Sequence, residues 1–139
     1  MLSIKKTLTN LLTSVLALTT TVNNLDAYTK SSVTVVSTYA NTSGQTFAIE
    51  KAGKIATIKI TAVKAIPARQ DVQIATLPTG YRPGVQVLKF IFTPTATGSD
   101  NAVRIMINTN GVVNAYWYGA SGSTSGSLNI QEYIPYICA

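Results

Sequence analysis

The chain has 139 residues, 46% hydrophobic and only 12% charged, with eleven Lys and Arg against five Asp and Glu for a formal net charge of +6. That length holds one domain, or a smaller domain with an extension. There is no histidine and one cysteine, Cys138, which excludes Ser/His/Asp and Cys/His catalysis, leaves no zinc cluster and precludes an internal disulfide. The cations run from Lys5 to Arg104 without forming a block or accompanying a helix-turn-helix or zinc-finger spacing. No nucleic-acid partner is expected; the charge reads as an ordinary basic surface, or one drawn to anionic cell-wall polymers.

Residues 1–27 differ in kind from the rest. Met1, Ile4, Leu8, Leu11, Val15, Leu18, Val22 and Leu25 recur at alternating steps of three and four, an a/d heptad stripe held for almost four heptads. A helix with that stripe packs against copies of itself or against its own domain, so Ile4, Leu8, Leu11, Val15, Leu18, Val22 and Leu25 are the expected assembly residues. Neither the a nor the d layer decides between two and three strands. Six threonines lower helix propensity, so the order of this segment should depend on assembly. A signal peptide is the competing reading, with Lys5 and Lys6 before an apolar run, and it would make the protein a secreted bacterial surface protein. Asn10, Thr9, Thr13 and Ser14 interrupt that run. The segment is too polar for a membrane span, so no membrane insertion is expected.

From Tyr28 the period changes to two. Runs rich in Val, Ile, Thr and Tyr, such as "SSVTVVSTYA", "KIATIKITAVK", "VQVLKFIFT" and "SLNIQEYIPYI", alternate with turn residues at 41–44, 53, 67, 79–84, 93–101, 110–111 and 119–126. Seven or eight such strands predict an all-β head over residues 28–139, an antiparallel β-sandwich or jelly roll behind the N-terminal coiled-coil helix. In "RIMINTNGVVNAYWY", Asn110-Gly111 predicts a tight type I′ hairpin. The two flanking runs should pair: Val103, Ile105 and Ile107 share one face of their strand and Arg104, Met106 and Asn108 the other, and across the turn Val113, Ala115 and Trp117 alternate with Val112, Asn114, Tyr116 and Tyr118. In "IATLPTGYRPGVQVLKFIF", Pro78 and Pro83 bar the corner from a central ladder. Gly80 is expected to adopt a conformation other residues resist. Tyr81 is expected to pin the corner, and Arg82 to be solvated or met by a carboxylate.

The "TLPTGYRP" corner after an apolar strand, the "VRIMINTNGVV" hairpin and the final "YIPYI" strand resemble the C-terminal head domain of phage receptor-binding and tail-fibre proteins of Gram-positive phages and prophages. The resemblance spans roughly residues 45–137. It implies a homotrimer of β-sandwich or jelly-roll heads on a helical neck, made in the host cytoplasm and carried on the virion. The implied partners are other copies of the chain, other virion proteins and host cell-surface polysaccharide. Lacking the large N-terminal shoulder of longer members, the chain is expected to be a separate small fibre or decoration protein, or a product carrying only neck and head; a decoration protein that binds nothing specifically is the further alternative.

Sugars are held by an aromatic platform and a few planar donors and acceptors. Asp100, Asn101, Arg104, Asn114, Tyr116, Trp117 and Tyr118, clustered on one hairpin, are therefore the candidate saccharide-binding residues. Trp117 reads more plainly as core; Tyr116 and Tyr118 are better placed for exposure. Tyr133 and Tyr136 are candidates for a subunit interface, and "GASGSTSGS" for a tip turn or linker. A glycosidase needs two carboxylates across a cleft, and no motif pairs Asp71, Asp100, Glu50 or Glu132. The expectation is a binding protein with no enzymatic activity, cofactor or metal.

Overall fold

The computed structural model describes residues 1–25, 27–92, 102–119, 126–128 and 131–139. It opens with helix α1 (Leu2–Leu25). Seven of its hydroxyl side chains donate back to the carbonyl four residues earlier, as in Thr13 to Thr9 and Thr20 to Leu16. This absorbs the polar groups that make threonine a poor helix former. Ile4, Leu8, Leu11, Val15, Leu18 and Val22 are all exposed, Leu8 at 59% and Leu18 at 65%, and Leu12 and Leu16 beside them widen the stripe. The helix therefore does not bury its apolar face on its own chain. The side chain of Leu25 lies outside the described residues.

The remaining elements are strands β1 (Tyr28–Thr34), β2 (Thr46–Ala52), β3 (Ile55–Ile60), β4 (Val63–Ile66), β5 (Asp71–Thr76), β6 (Val87–Phe92), β7 (Ala102–Ile107), β8 (Val112–Trp117), β9 (Gly126–Leu128) and β10 (Glu132–Ile137). They form two four-stranded antiparallel sheets, β1-β2-β3-β10 and β5-β8-β7-β6, and a two-stranded pair, β4-β9. Alternation decides which residues go inside. Val33, Phe47, Ile49, Ile58, Ile60 and Ile134 of the first sheet meet Ile74, Val103, Ile105, Ile107 and Val113 of the second in one core, which Val63 and Ile66 of β4 extend. Each such side chain contributes roughly 1.5–3 kcal/mol on burial.

Two seams join the sheets. Past β1, Val35 bridges Ala75 of β5, and the Val36 amide donates to the Ile74 carbonyl at 2.8 Å. On the opposite side Lys89 of β6 reaches Glu132 of β10 at 2.9 Å. Pro135 sits on β10, an edge strand, where a missing amide donor is tolerated.

The structure corrects the sequence reading in several places. "KIATIKITAVK" is not one strand but β3 and β4, which belong to different sheets. Asn110-Gly111 does not form a type I′ turn, because Asn110 keeps negative φ. Instead the Gly111 amide donates to Asn108 at 2.8 Å, the Asn108 amide donates to Val112 at 2.9 Å, and Gly111 takes φ +90°. That is a type I turn closed by a left-handed glycine, the three-residue hairpin loop. Gly80 lies in a 3-10 turn (Thr79–Tyr81) with no positive φ and open space around it, so the corner does not depend on glycine there.

What holds the corner is its contacts. The Tyr81 hydroxyl pairs with that of Thr29 at 3.0 Å, Lys51 donates to the Gly80 carbonyl at 2.8 Å, and the Tyr136 hydroxyl donates to the Tyr81 carbonyl at 2.8 Å. Among the described residues Arg82 meets no carboxylate; its Nε approaches the Leu77 carbonyl at 3.5 Å, and its side chain packs against Gly111. Tyr136 is buried within its own chain and is not an interface residue.

Candidate functional site

The outer face of the β5-β8-β7-β6 sheet collects most of the predicted site. Cross-strand register sets Phe90, Arg104, Tyr116 and Asp71 in one row across all four strands. Arg104 spans two of them: its Nη2 donates to both Asp71 oxygens at 2.7 Å, and the guanidinium lies 4.9 Å from the Tyr116 ring centroid. Asp71 holds the Arg104 guanidinium even more firmly charged than usual, against the opposing pull of desolvation. With its charge matched, Arg104 acts here chiefly as a strut that fixes the Tyr116 ring.

Two residues beyond Tyr116, Tyr118 returns to the same face, its ring 4.6 Å from that of Tyr116 and 6.2 Å from that of Phe90. Asn114 lies on this face one row along, opposite Met106 and Gln73. Trp117 points the other way, against the core, with its ring packed so close to Gly119 that a Cβ there would stand 2.5 Å from it. Asp100 and Asn101, and residues 120–125 of the Gly/Ser/Thr loop, lie outside the described residues.

Sequence reasoning expected a strand at "VQVLKFIFT" but missed what β6 adds to this face. Leu88, Phe90 and Phe92 all stand on the outer face, Phe92 at 81% exposure, while Ile91 is buried beneath. The signal was available: "VLKFIF" is apolar on both faces of a strand, and a strand covered on one side only should alternate. Asp71 was weighed only as a catalytic carboxylate, and the structure gives it to Arg104.

Among the described residues no cluster of three potential metal ligands occurs, and no helix is long and apolar enough to cross a membrane. The class these elements define is an all-β domain of two antiparallel sheets behind an N-terminal helix, with an aromatic outer face on one sheet. In fold the chain is similar to the receptor binding protein (gp15) of Listeria phage PSA, at a TM-score of 0.50 and 14% identity over 94% of this chain and 77% of that one. No protein-family model matches the sequence, and no curated protein matches it.

Proposed function

We propose that the chain is a phage or prophage virion protein, a receptor-binding head over residues 28–139 carried on a trimeric coiled-coil neck over residues 1–27. The head is of jelly-roll type, binds host-surface saccharide without catalysis or cofactor, and joins other virion proteins. The observation that carries the reading is the fold shared with a phage receptor binding protein. It is supported by a helix whose apolar stripe finds no cover on its own chain and by the strutted Tyr116/Tyr118 pair with Arg104, Asn114 and Phe90 around it. Exposed tyrosines give a large, rigid contact surface with a polar tip, the chemistry sugar hydroxyls and C–H faces require.

Two measurements test it. Light scattering should give a three-chain mass for the full chain and a one-chain mass for a chain starting at Tyr28; a full-length monomer overturns the neck. An array of purified bacterial cell-wall polysaccharides should retain the full chain on some members and lose it on Tyr116→Ala or Tyr118→Ala. Retention on none would leave a decoration protein in place of a receptor-binding one.

A further inference from the structure

The opposite sheet carries a concavity of its own. On the outer face of β1-β2-β3-β10, Ala48, Lys59 and Tyr133 lie in one cross-strand row, and Glu50, Thr57 and Pro135 in the next. The short side chains of Ala48 and Thr57 leave a hollow of about 250 Å³ that Glu50, Lys59 and Tyr133 wall in. Pockets for drug-sized ligands run to about 300–1,000 Å³, so this one suits a single small unit.

Tyr133 is 60% exposed, and the Lys59 ammonium lies 5.3 Å from its ring centroid. Among the described ion pairs Glu50 is matched by Lys30, Glu132 by Lys89 and Asp71 by Arg104, and Lys59 is in none of them. The neighbouring Tyr28 hydroxyl, and the Lys30 ammonium at 3.3 Å, hold the Glu50 carboxyl below its usual range. Glu50 is thus a fixed anionic acceptor with lone pairs to spare at any neutral pH.

We infer that this groove binds one pyranoside unit, with Tyr133 as the aromatic platform, Glu50 accepting from sugar hydroxyls, and Lys59 and Thr57 donating to sugar oxygens. A protein partner fits less well. The large exposed aliphatic residues of this face, Ile55 and Ile137, lie in a separate row with Tyr28 and Ala52, and the groove itself is polar with one aromatic wall. The site stands apart from the Tyr116/Tyr118 face on the other sheet, so it gives each chain a second point of attachment and does not depend on the first.

The test is saturation-transfer NMR on the full chain with the methyl glycosides of glucose, galactose and N-acetylglucosamine as probes. Tyr133→Ala and Glu50→Gln should each weaken binding of at least one glycoside about tenfold, the loss of one charge-assisted hydrogen bond or its equivalent in contact. Ile55→Ser, in the separate row of the same face, should leave that binding unchanged. All three side chains are exposed, so unaltered thermal midpoints should accompany the loss. Undiminished binding in Tyr133→Ala and Glu50→Gln, or no saturation transfer to any glycoside, overturns the inference. Loss in Tyr118→Ala with retention in Tyr133→Ala overturns it while leaving the proposed function standing.

Discussion

Gly111 does two things no other residue can do there. Its φ of +90° is left-handed, and a Cβ would stand 2.9 Å from both the Arg82 Nε and the Leu77 carbonyl oxygen. Gly111→Ala should therefore cost about 1–3 kcal/mol in chemical denaturation, whereas Gly80→Ala, with nothing within 4 Å, should stay within about 0.5 kcal/mol. Equal effects would mean that the contact between corner and hairpin is not what holds this end together. Tyr136 supplies a pH readout. Burial pushes its hydroxyl well above the ordinary 10.0, and neighbouring Cys138 adds to the shift; Cys138 is itself raised by burial from 9.0. The folded chain holds both protons more tightly than the unfolded one, so this stability is fully present below about pH 9 and falls as pH rises through 9 and 10. Tyr136→Phe should cost about 1 kcal/mol at neutral pH through the lost hydrogen bond to Tyr81 and should make the alkaline decline shallower. Denaturation midpoints between pH 7 and 11 check this, and parallel declines in the two proteins would locate the titration elsewhere.

An isolated 24-residue helix rich in threonine is marginal in water, and none of the described heptad side chains of α1 is covered by the strands. Leu11→Asp should then leave the β domain intact while reducing the mass to one chain and lowering the helical circular-dichroism signal, which in the parent should itself fall on dilution. A helical signal independent of concentration and of Leu11 would mean that α1 is stable alone. The same element marks where sequence was most legible, since apolar residues at steps of three and four over seven turns predict the helix that α1 forms. The alternation in β7 and β8 was nearly as clear, with Val103, Ile105, Ile107, Val113 and Ala115 all buried. Less legible was whatever depends on chain path. The break after Ile60 carries no glycine or proline, so β3 and β4 read as one strand, and an Asn-Gly pair fits either of two hairpin loops. The Tyr133 groove is assembled from β2, β3 and β10, and no local pattern joins Glu50 to a tyrosine more than eighty residues away.

At the scale of the molecule, the three stretches that carry the resemblance meet in one place. The Leu77 amide donates to the Gly111 carbonyl at 2.8 Å, the Ala139 amide to the Arg82 carbonyl at 3.0 Å and the Gly84 amide to the Ile137 carbonyl at 3.0 Å. The corner thus ties the β7-β8 hairpin to the C-terminal strand of the other sheet, and the outer faces of both sheets become parts of one rigid body. Rigidity matters because single sugar contacts are weak and an assembled neck would present several heads at once. Linked sites raise overall affinity by about 10²–10⁴ when the receptor repeats and the geometry lets them engage together. Leu11→Asp, which touches neither aromatic face, should accordingly reduce retention on a polysaccharide-coated surface by a factor in that range while leaving the affinity for a free methyl glycoside unchanged. Surface plasmon resonance on the immobilised polymer, beside NMR titration with the glycoside, separates the two quantities. Equal retention of parent and variant on the polymer would mean that one head suffices, and that the exposed stripe of α1 serves some purpose other than multivalent attachment.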